Sequence, residues 1–314
     1  MLWFKSKPKT IPENRLSNNR NQIFYRVNII MTDKTKSISA MIVSALSLSI
    51  MQLCIAKTSA FIPLPEQVFF RNILTSLLAL VAIKKKNLKN VLGSKENRPL
   101  LLLRSVLGTI AMYSLFYAAG SGNQGDVAVL SKLSPFFAIL FACIIGKERM
   151  KPHQIICLVL AITGASITAN PSFKGFSYGA TTALACSFFS GAAYFVIGKL
   201  KGKEEPEIIV FFFSIFMTLI SIVLMSSSFV VPTPKDALLL VFMSLSSAIC
   251  QLSLTFAYST SEASLVSVYN YTGIPFSIIL GYVFLSQNPK TSTLIGAGLV
   301  IVSGIVSFFY DRKN

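Results

Sequence analysis

Acidic side chains are scarce in this chain, 12 Asp and Glu against 29 Lys and Arg, and none falls near the middle of an apolar run. Without a carboxylate at mid-depth there is no group to attract a lipophilic cation and no obvious proton carrier. Histidine is rarer still. The one copy, His153, begins an apolar run with no cysteine or carboxylate cluster around it, which excludes a metal site and a nucleophile–base pair. The five cysteines, Cys54, Cys143, Cys157, Cys186 and Cys250, all lie inside apolar runs and form no CxxC pair. They read as small packing residues rather than as a disulfide framework or a zinc site. No P-loop is present, which argues against an ATP-driven pump, and no cofactor is expected.

What the chain has in abundance is hydrocarbon. Of its 314 residues, 53% are hydrophobic and only 13% charged, with a mean hydropathy of +0.64. That balance excludes an ordinary soluble domain. Reading apolar runs between charged or Pro/Gly/Asn punctuation gives about ten spans: 37–57, 66–83, 99–119, 124–145, 151–169, 177–198, 207–228, 236–258, 262–285 and 290–310. Each is long enough to cross the roughly 30 Å of a bilayer core as a helix. Backbone polar groups in lipid must be satisfied within the segment, so all are expected to be helices.

The formal charge of +17 resides in the connections between spans, as orientation signals do, and not in a nucleic-acid surface. Lys and Arg crowd the 1–36 arm, the 84–98 connection, the 146–152 connection, the 199–203 connection and the 311–314 tail. These are expected on the cytoplasmic side, with both termini, and the 1–36 arm is expected to be disordered. The alternate connections, including an external linker at 170–176, carry few cations. Partners are therefore the bilayer, a small-molecule solute and, as a further candidate, a second copy of the chain.

The two halves echo each other at a spacing of about 140 residues. PEQVFF at 65–70 matches PEIIVFF at 206–212, Lys57 matches Lys199, Pro135 matches Pro275, and Gly164 matches Gly304. Because each half, 37–169 and 177–310, has five spans, the second enters the membrane with opposite polarity. The expected fold is an all-α membrane protein of two inverted five-helix repeats, with a substrate site near mid-depth between them.

Lys132 is the leading site candidate. It lies in VAVLSKLSPFFAILF, about eight residues or roughly 12 Å into its span. An ionisable group at that depth faces a polar cavity by default. Ala128, Ser131, Lys132 and Pro135 form one stripe, and Ser264, Ser267, Tyr271 and Pro275 form its mate, flanked by Asn270 and Thr272. Pro135 and Pro275 mark expected helix kinks. Gln251, Tyr258 and Thr255 on span 8, Tyr269 on span 9, and Gln52, Ser44 and Ser47 on span 1 complete the expected lining. For Ser and Thr, close helix packing is the competing explanation. Arg71 and Arg104 lie about five residues from an interface, close enough to snorkel, and are candidates for the same cavity.

The stretch LSKLSPFFAILFACIIGKERMKPHQIICLVLAITG, and its looser copy GIPFSIILGYVFLSQNPKTSTLIGAGLVIVSG, resemble the drug/metabolite transporter superfamily in its EamA-type branch. Pro135, Gly146 with Glu148, and Gly164 match that pattern in the first copy, whereas Ser286 and Asn288 replace the glycine and acid in the second. The resemblance implies a multi-pass carrier of the bacterial cytoplasmic membrane, not an enzyme, working by alternating access without nucleotide hydrolysis. Relatives move amino acids, purines, nucleotide-like solutes, S-adenosylmethionine and drugs. The unpaired cations favour an anionic or zwitterionic metabolite. The competing readings are an exporter of drugs or lipophilic solutes, and a non-transporting scaffold or lipid-modifying protein.

Overall fold

The computed structural model describes residues 19–88, 90–147, 152–169, 178–200, 202–226, 228–260 and 269–313, and among them there is no strand. Eleven helices are described: α1 (Asn19–Thr58), α2 (Leu64–Lys85), α3 (Arg98–Ser121), α4 (Gln124–Ser131), α5 (Ser134–Ile144), α6 (Pro152–Ala169), α7 (Tyr178–Leu200), α8 (Pro206–Met225), α9 (Pro234–Thr260), α10 (Gly273–Leu285) and α11 (Thr291–Lys313). Seven segments are long and apolar enough to cross a membrane, and shorter apolar helices cover 155–168, 273–285 and 291–306. Together they fall on the ten spans read from the sequence.

Proline and short polar residues set the boundaries. Pro65, Pro99 and Pro206 occupy the first turns of α2, α3 and α8, where a missing N–H costs nothing. Asn123 caps α4 by accepting from the Gly125 N–H at 3.0 Å. Two boundaries differ from expectation. α1 runs back to Asn19, so residues 19–36, expected to be disordered, continue the helix of the first span. The fourth span is two helices rather than one, because the chain tightens at Lys132 and Leu133. The turn with Glu148, the 170–176 linker, and Glu262, Ser264 and Ser267 lie outside the described residues, as do the side chains of His153, Thr255 and Tyr258.

Packing comes in matched pairs. If α1, α2, α3, α5 and α6 are set against α7, α8, α9, α10 and α11, the contact of α1 with α9 has its counterpart in α7 with α3. Likewise α5 on α7 corresponds to α10 on α1, and α2 on α9 to α8 on α3; α2 packs on α8 and α6 on α11. The α6–α11 crossing is close because Gly164 and Gly296 face each other, each approaching the other's carbonyl oxygen.

Polarity is distributed inside out. The bundle exposes Leu77, Val81, Leu102, Ile156, Leu219, Val223, Phe242 and Val283, while Ser44, Gln52, Arg71, Asn72, Arg104, Gln124, Lys132 and Ser277 are buried. An apolar belt around a polar interior is the arrangement that lipid requires.

Candidate functional site

The break in the fourth span follows from Pro135. Lacking an N–H, it leaves the Ser131 carbonyl without its helical donor, and the Ser134 hydroxyl donates to that oxygen instead, at 3.1 Å. Leu133 N–H donates to Leu130 O at 3.3 Å, so the chain passes through a tight turn with Lys132 at its apex. The second copy repeats this geometry before Pro275. Thr272 N–H donates to Tyr269 O at 3.2 Å, and Ile274 N–H takes the Tyr271 carbonyl at 3.0 Å.

The two turns meet. Lys132 is only 6% exposed, and its ammonium donates to Oδ1 of Asn270 at 2.6 Å. It can approach because position 273 is glycine: a Cβ there would sit 3.3 Å from Lys132 Cε and 3.4 Å from Nζ. The Gly273 carbonyl is held from the other side by Ser49 Oγ at 3.1 Å, and Ser277 links Ser49 to Gln52 Oε1. No carboxylate joins this group among the described residues. Asp126 accepts from the Thr293 hydroxyl, and Glu66 accepts the Val230 N–H at 3.1 Å.

Arg71 and Arg104 do not reach an interface; both are buried. Snorkelling is thus set aside, because the residues occupy the inward stripes of α2 and α3. Nη1 of Arg71 donates to Asn72 Oδ1 at 2.6 Å, and Asn72 is anchored to Val68 O at 2.7 Å. The Arg104 guanidinium carbon lies 3.8 Å from the centroid of the Phe213 ring, a cation–π contact. Cys250 is close enough to feel the charges of both Lys132 and Arg71, and its carbonyl accepts from Ser44 at 2.9 Å.

Tyr194 was not singled out from the sequence. Its hydroxyl bonds Ser134 beside the Lys132 turn and lies within reach of the Arg104 charge, yet 43% of its surface is accessible. Cys186 and Ser190, two turns and one turn before Tyr194 on the same stripe of α7, approach each other at 3.8 Å, and Cys186 lies near Lys132. A cysteine and a tyrosine within an apolar run carry no sequence signal that separates them from packing residues.

The remaining candidates are dispersed. Tyr271 is buried with its ring against Gly304, where any Cβ would overlap it. Tyr269 is half-buried beside Met41 and Ala257. Gln251 is half-buried on α9, and Gln52 is buried, its carbonyl accepting from Gln124 Nε2 at 3.3 Å.

At one end of the bundle, the connections after α2 and after α7 are tied together. Oε1 of Glu204 accepts from Ser94 N–H at 2.8 Å, Ser94 Oγ at 2.5 Å and Asn97 Nδ2 at 2.9 Å, and Lys86 pairs with Glu207 at 2.8 Å. Partial burial pushes the Glu204 carboxyl up, but these donors outweigh it and hold it below its ordinary value.

The sequence matches the EamA-like transporter family twice, over residues 35–170 and again over 177–309. The chain belongs to the EamA-like transporter family. It is 32% identical over 266 residues to a pseudopaline exporter of Pseudomonas aeruginosa, a match that covers 84% of this chain and 93% of that protein. A riboflavin transporter of Rhizobium johnstonii is 28% identical over 65% of this chain and 68% of its own length. An S-adenosylmethionine uptake transporter of Rickettsia bellii is 23% identical over 79% and 84%. One crystal structure superposes with a TM-score of 0.64 at 16% identity, covering 89% of this chain and 98% of that one, which shows the fold. This family member is a multi-pass membrane protein of the drug/metabolite transporter superfamily, and its relatives are transporters of small molecules.

Proposed function

We propose that the protein is a secondary transporter that moves a small anionic or zwitterionic metabolite across the bacterial cytoplasmic membrane by alternating access, without enzymatic chemistry. The observation that carries this reading is the Lys132 ammonium, buried where the two halves meet, with an amide oxygen and, among the described residues, no carboxylate beside it. A charge kept at that cost is functional by default, and an incoming oxyanion supplies what the protein withholds. Asn270 orients the ammonium, Arg71 and Arg104 extend the positive field, and Tyr194 with the half-buried Tyr269 and Gln251 walls the space. Tyr271 and Gln52 act through packing, and Pro135 and Pro275 set the turns.

The double family match, the paired packing and the basic connections support two oppositely oriented repeats that rock about this centre, with both termini in the cytoplasm. Relatives named as an exporter and as an uptake transporter show that direction varies within the family. The test is flux in both directions across proteoliposomes with radiolabelled carboxylates, amino acids, nucleotides and S-adenosylmethionine. Lys132-dependent movement of an anionic or zwitterionic solute supports the reading. Movement of lipophilic cations alone, or none of any solute, overturns it.

A further inference from the structure

Glu66 is an acid buried without a counter-ion. It stands two residues from the start of α2, yet it is fully buried, because the non-helical segment 229–233 between α8 and α9 lies across it. The Val230 N–H donates to its Oε2 at 3.1 Å, and its Oε1 is buried with no hydrogen-bond partner. One amide does not replace the hydration of a carboxylate, and an orphaned buried oxygen calls for an explanation. The segment above it is otherwise lightly held: Phe229, Val230 and Val231 are exposed.

The duplication supplies the comparison. Glu66 follows Pro65 in α2 as Glu207 follows Pro206 in α8, and these two helices pack on each other. Each glutamate meets the chain that follows the other helix: Glu207 pairs with Lys86 at 2.8 Å beyond α2, and Glu66 takes the Val230 N–H beyond α8. Both acids lie in first turns, where the helix dipole favours them. They differ in counter-charge. Lys84, Lys85 and Lys86 at the end of α2 have Met225, Ser226 and Ser227 as their counterparts at the end of α8.

Other charged groups on the neighbouring elements are engaged elsewhere or lie away. Arg71 on α2 donates to Asn72 at 2.6 Å, Asp236 on α9 accepts from the Thr233 hydroxyl at 2.6 Å, and Lys235 is exposed. Lys57 at the end of α1 lies over the Phe284 ring. Arg98 and Arg104 of α3, Glu207 of α8, and Lys84 and Lys85 belong toward the opposite end of the bundle. Among the described residues none forms an ion pair with Glu66.

Resting on the carrier and topology reading above, we propose that Glu66 is a proton-binding site and that segment 229–233 is the strap it latches across the external mouth. A proton taken from external water sits on Oε1 while the strap is down, and Oε2 keeps the Val230 N–H as a carbonyl oxygen does. Lifting the strap hydrates the carboxyl, which returns the proton to the same water. Because the closed form binds the proton in preference, external acidity draws the population toward a shut mouth. The cytoplasmic Glu207, neutralised by Lys86, needs no proton to stay covered.

The test is hydrogen exchange of the full chain in lipid nanodiscs, read as protection relative to the intrinsic rate, for the amides of Phe229, Val230, Val231 and Thr233 between about pH 4 and about pH 8. Protection should fall about tenfold or more as pH rises. Glu66→Gln, neutral at every pH and still able to accept from Val230, should stay protected across the range, and Glu66→Ala, with no acceptor, should be unprotected throughout. A wild-type profile that is flat or rises with pH, a step that persists in Glu66→Gln, or protection retained in Glu66→Ala would each overturn the proposal. The wild-type sign decides the matter where a variant fails to fold. No transported solute is needed, so a working carrier with a flat strap profile sinks the latch alone. A pH step in a protein that moves no solute sinks the carrier reading and leaves the proton site standing.

Discussion

The ammonium of Lys132 and the side-chain carbonyl of Asn270, 138 residues apart in the chain, lie 2.6 Å from each other at the point where both halves tighten into a turn. Asparagine orients the cation without neutralising it. That distinction separates a binding group from a structural ion pair, and it can be tested by changing either partner.

Lys132→Gln removes a buried, unneutralised charge. Uptake of an anionic solute into proteoliposomes should fall at least tenfold. Relief of the buried charge should make the protein more resistant to heat, by about 1–3 kcal/mol, on the scale at which neutral replacements of buried ions stabilise other proteins. A variant that is less stable and still transports would show that Lys132 is a packing residue.

Asn270→Asp supplies the missing carboxylate at the same position. The ion pair should raise the unfolding temperature and weaken anion binding about tenfold or more, because the site's charge is now spent internally. Retained affinity in Asn270→Asp, measured by ligand-induced thermal shift, would contradict this account.

Gly296→Ala tests the close approach of α6 and α11. The new methyl would overlap the Gly164 carbonyl and the Thr168 hydroxyl. Backbone cannot step aside as a side chain can, so a loss of about 1–3 kcal/mol is expected. Removing the neighbouring hydroxyl in Gly296→Ala/Thr168→Ala should recover little of it, because the Gly164 carbonyl remains in the way. An unchanged unfolding temperature would mean that the helices are further apart than described here.

Glu204 gives a pH dependence with a definite sign. Its carboxyl is held below the ordinary value in the folded protein, so between the two values the unfolded chain binds more protons and stability rises with pH. The tie it makes to Ser94 and Asn97 is complete above the usual glutamate range, about pH 4.3, and is lost as pH falls through the depressed value. Protection of residues 90–97 against hydrogen exchange, taken relative to the intrinsic rate at each pH, should therefore fall on acidification in the wild type. Glu204→Gln should be weakly protected at pH 7 and show no such step.

Much of the architecture was legible because spanning segments are forced into helices of one length scale, so ten apolar runs translate directly into position along the chain. The burial of Lys132 was legible for a related reason: a lone cation at mid-depth is expected to turn inward. What could not be read was rotation. Counting residues from an interface placed Arg71 and Arg104 within snorkelling distance, but whether a side chain turns inward depends on which stripe of α2 and α3 the neighbours cover. Phe213 beneath Arg104 and Tyr194 beside Ser134 come from helices distant in sequence, and nothing in an apolar run distinguishes them from lipid-facing aromatics. Tyr271 went the other way. Its polar hydroxyl marked it as lining, while the room left by Gly304 on α11 draws its ring into the packing between helices.

The joining of the 84–98 connection to Glu204 and of Lys86 to Glu207 bears on handling the protein. Both halves of the duplication contribute to that surface, so any rearrangement that parts them there must unmake it. A nanobody whose footprint covers Ser94, Asn97 and Glu204 together would grip a single conformer, and would serve as both a crystallisation chaperone and a reporter of turnover.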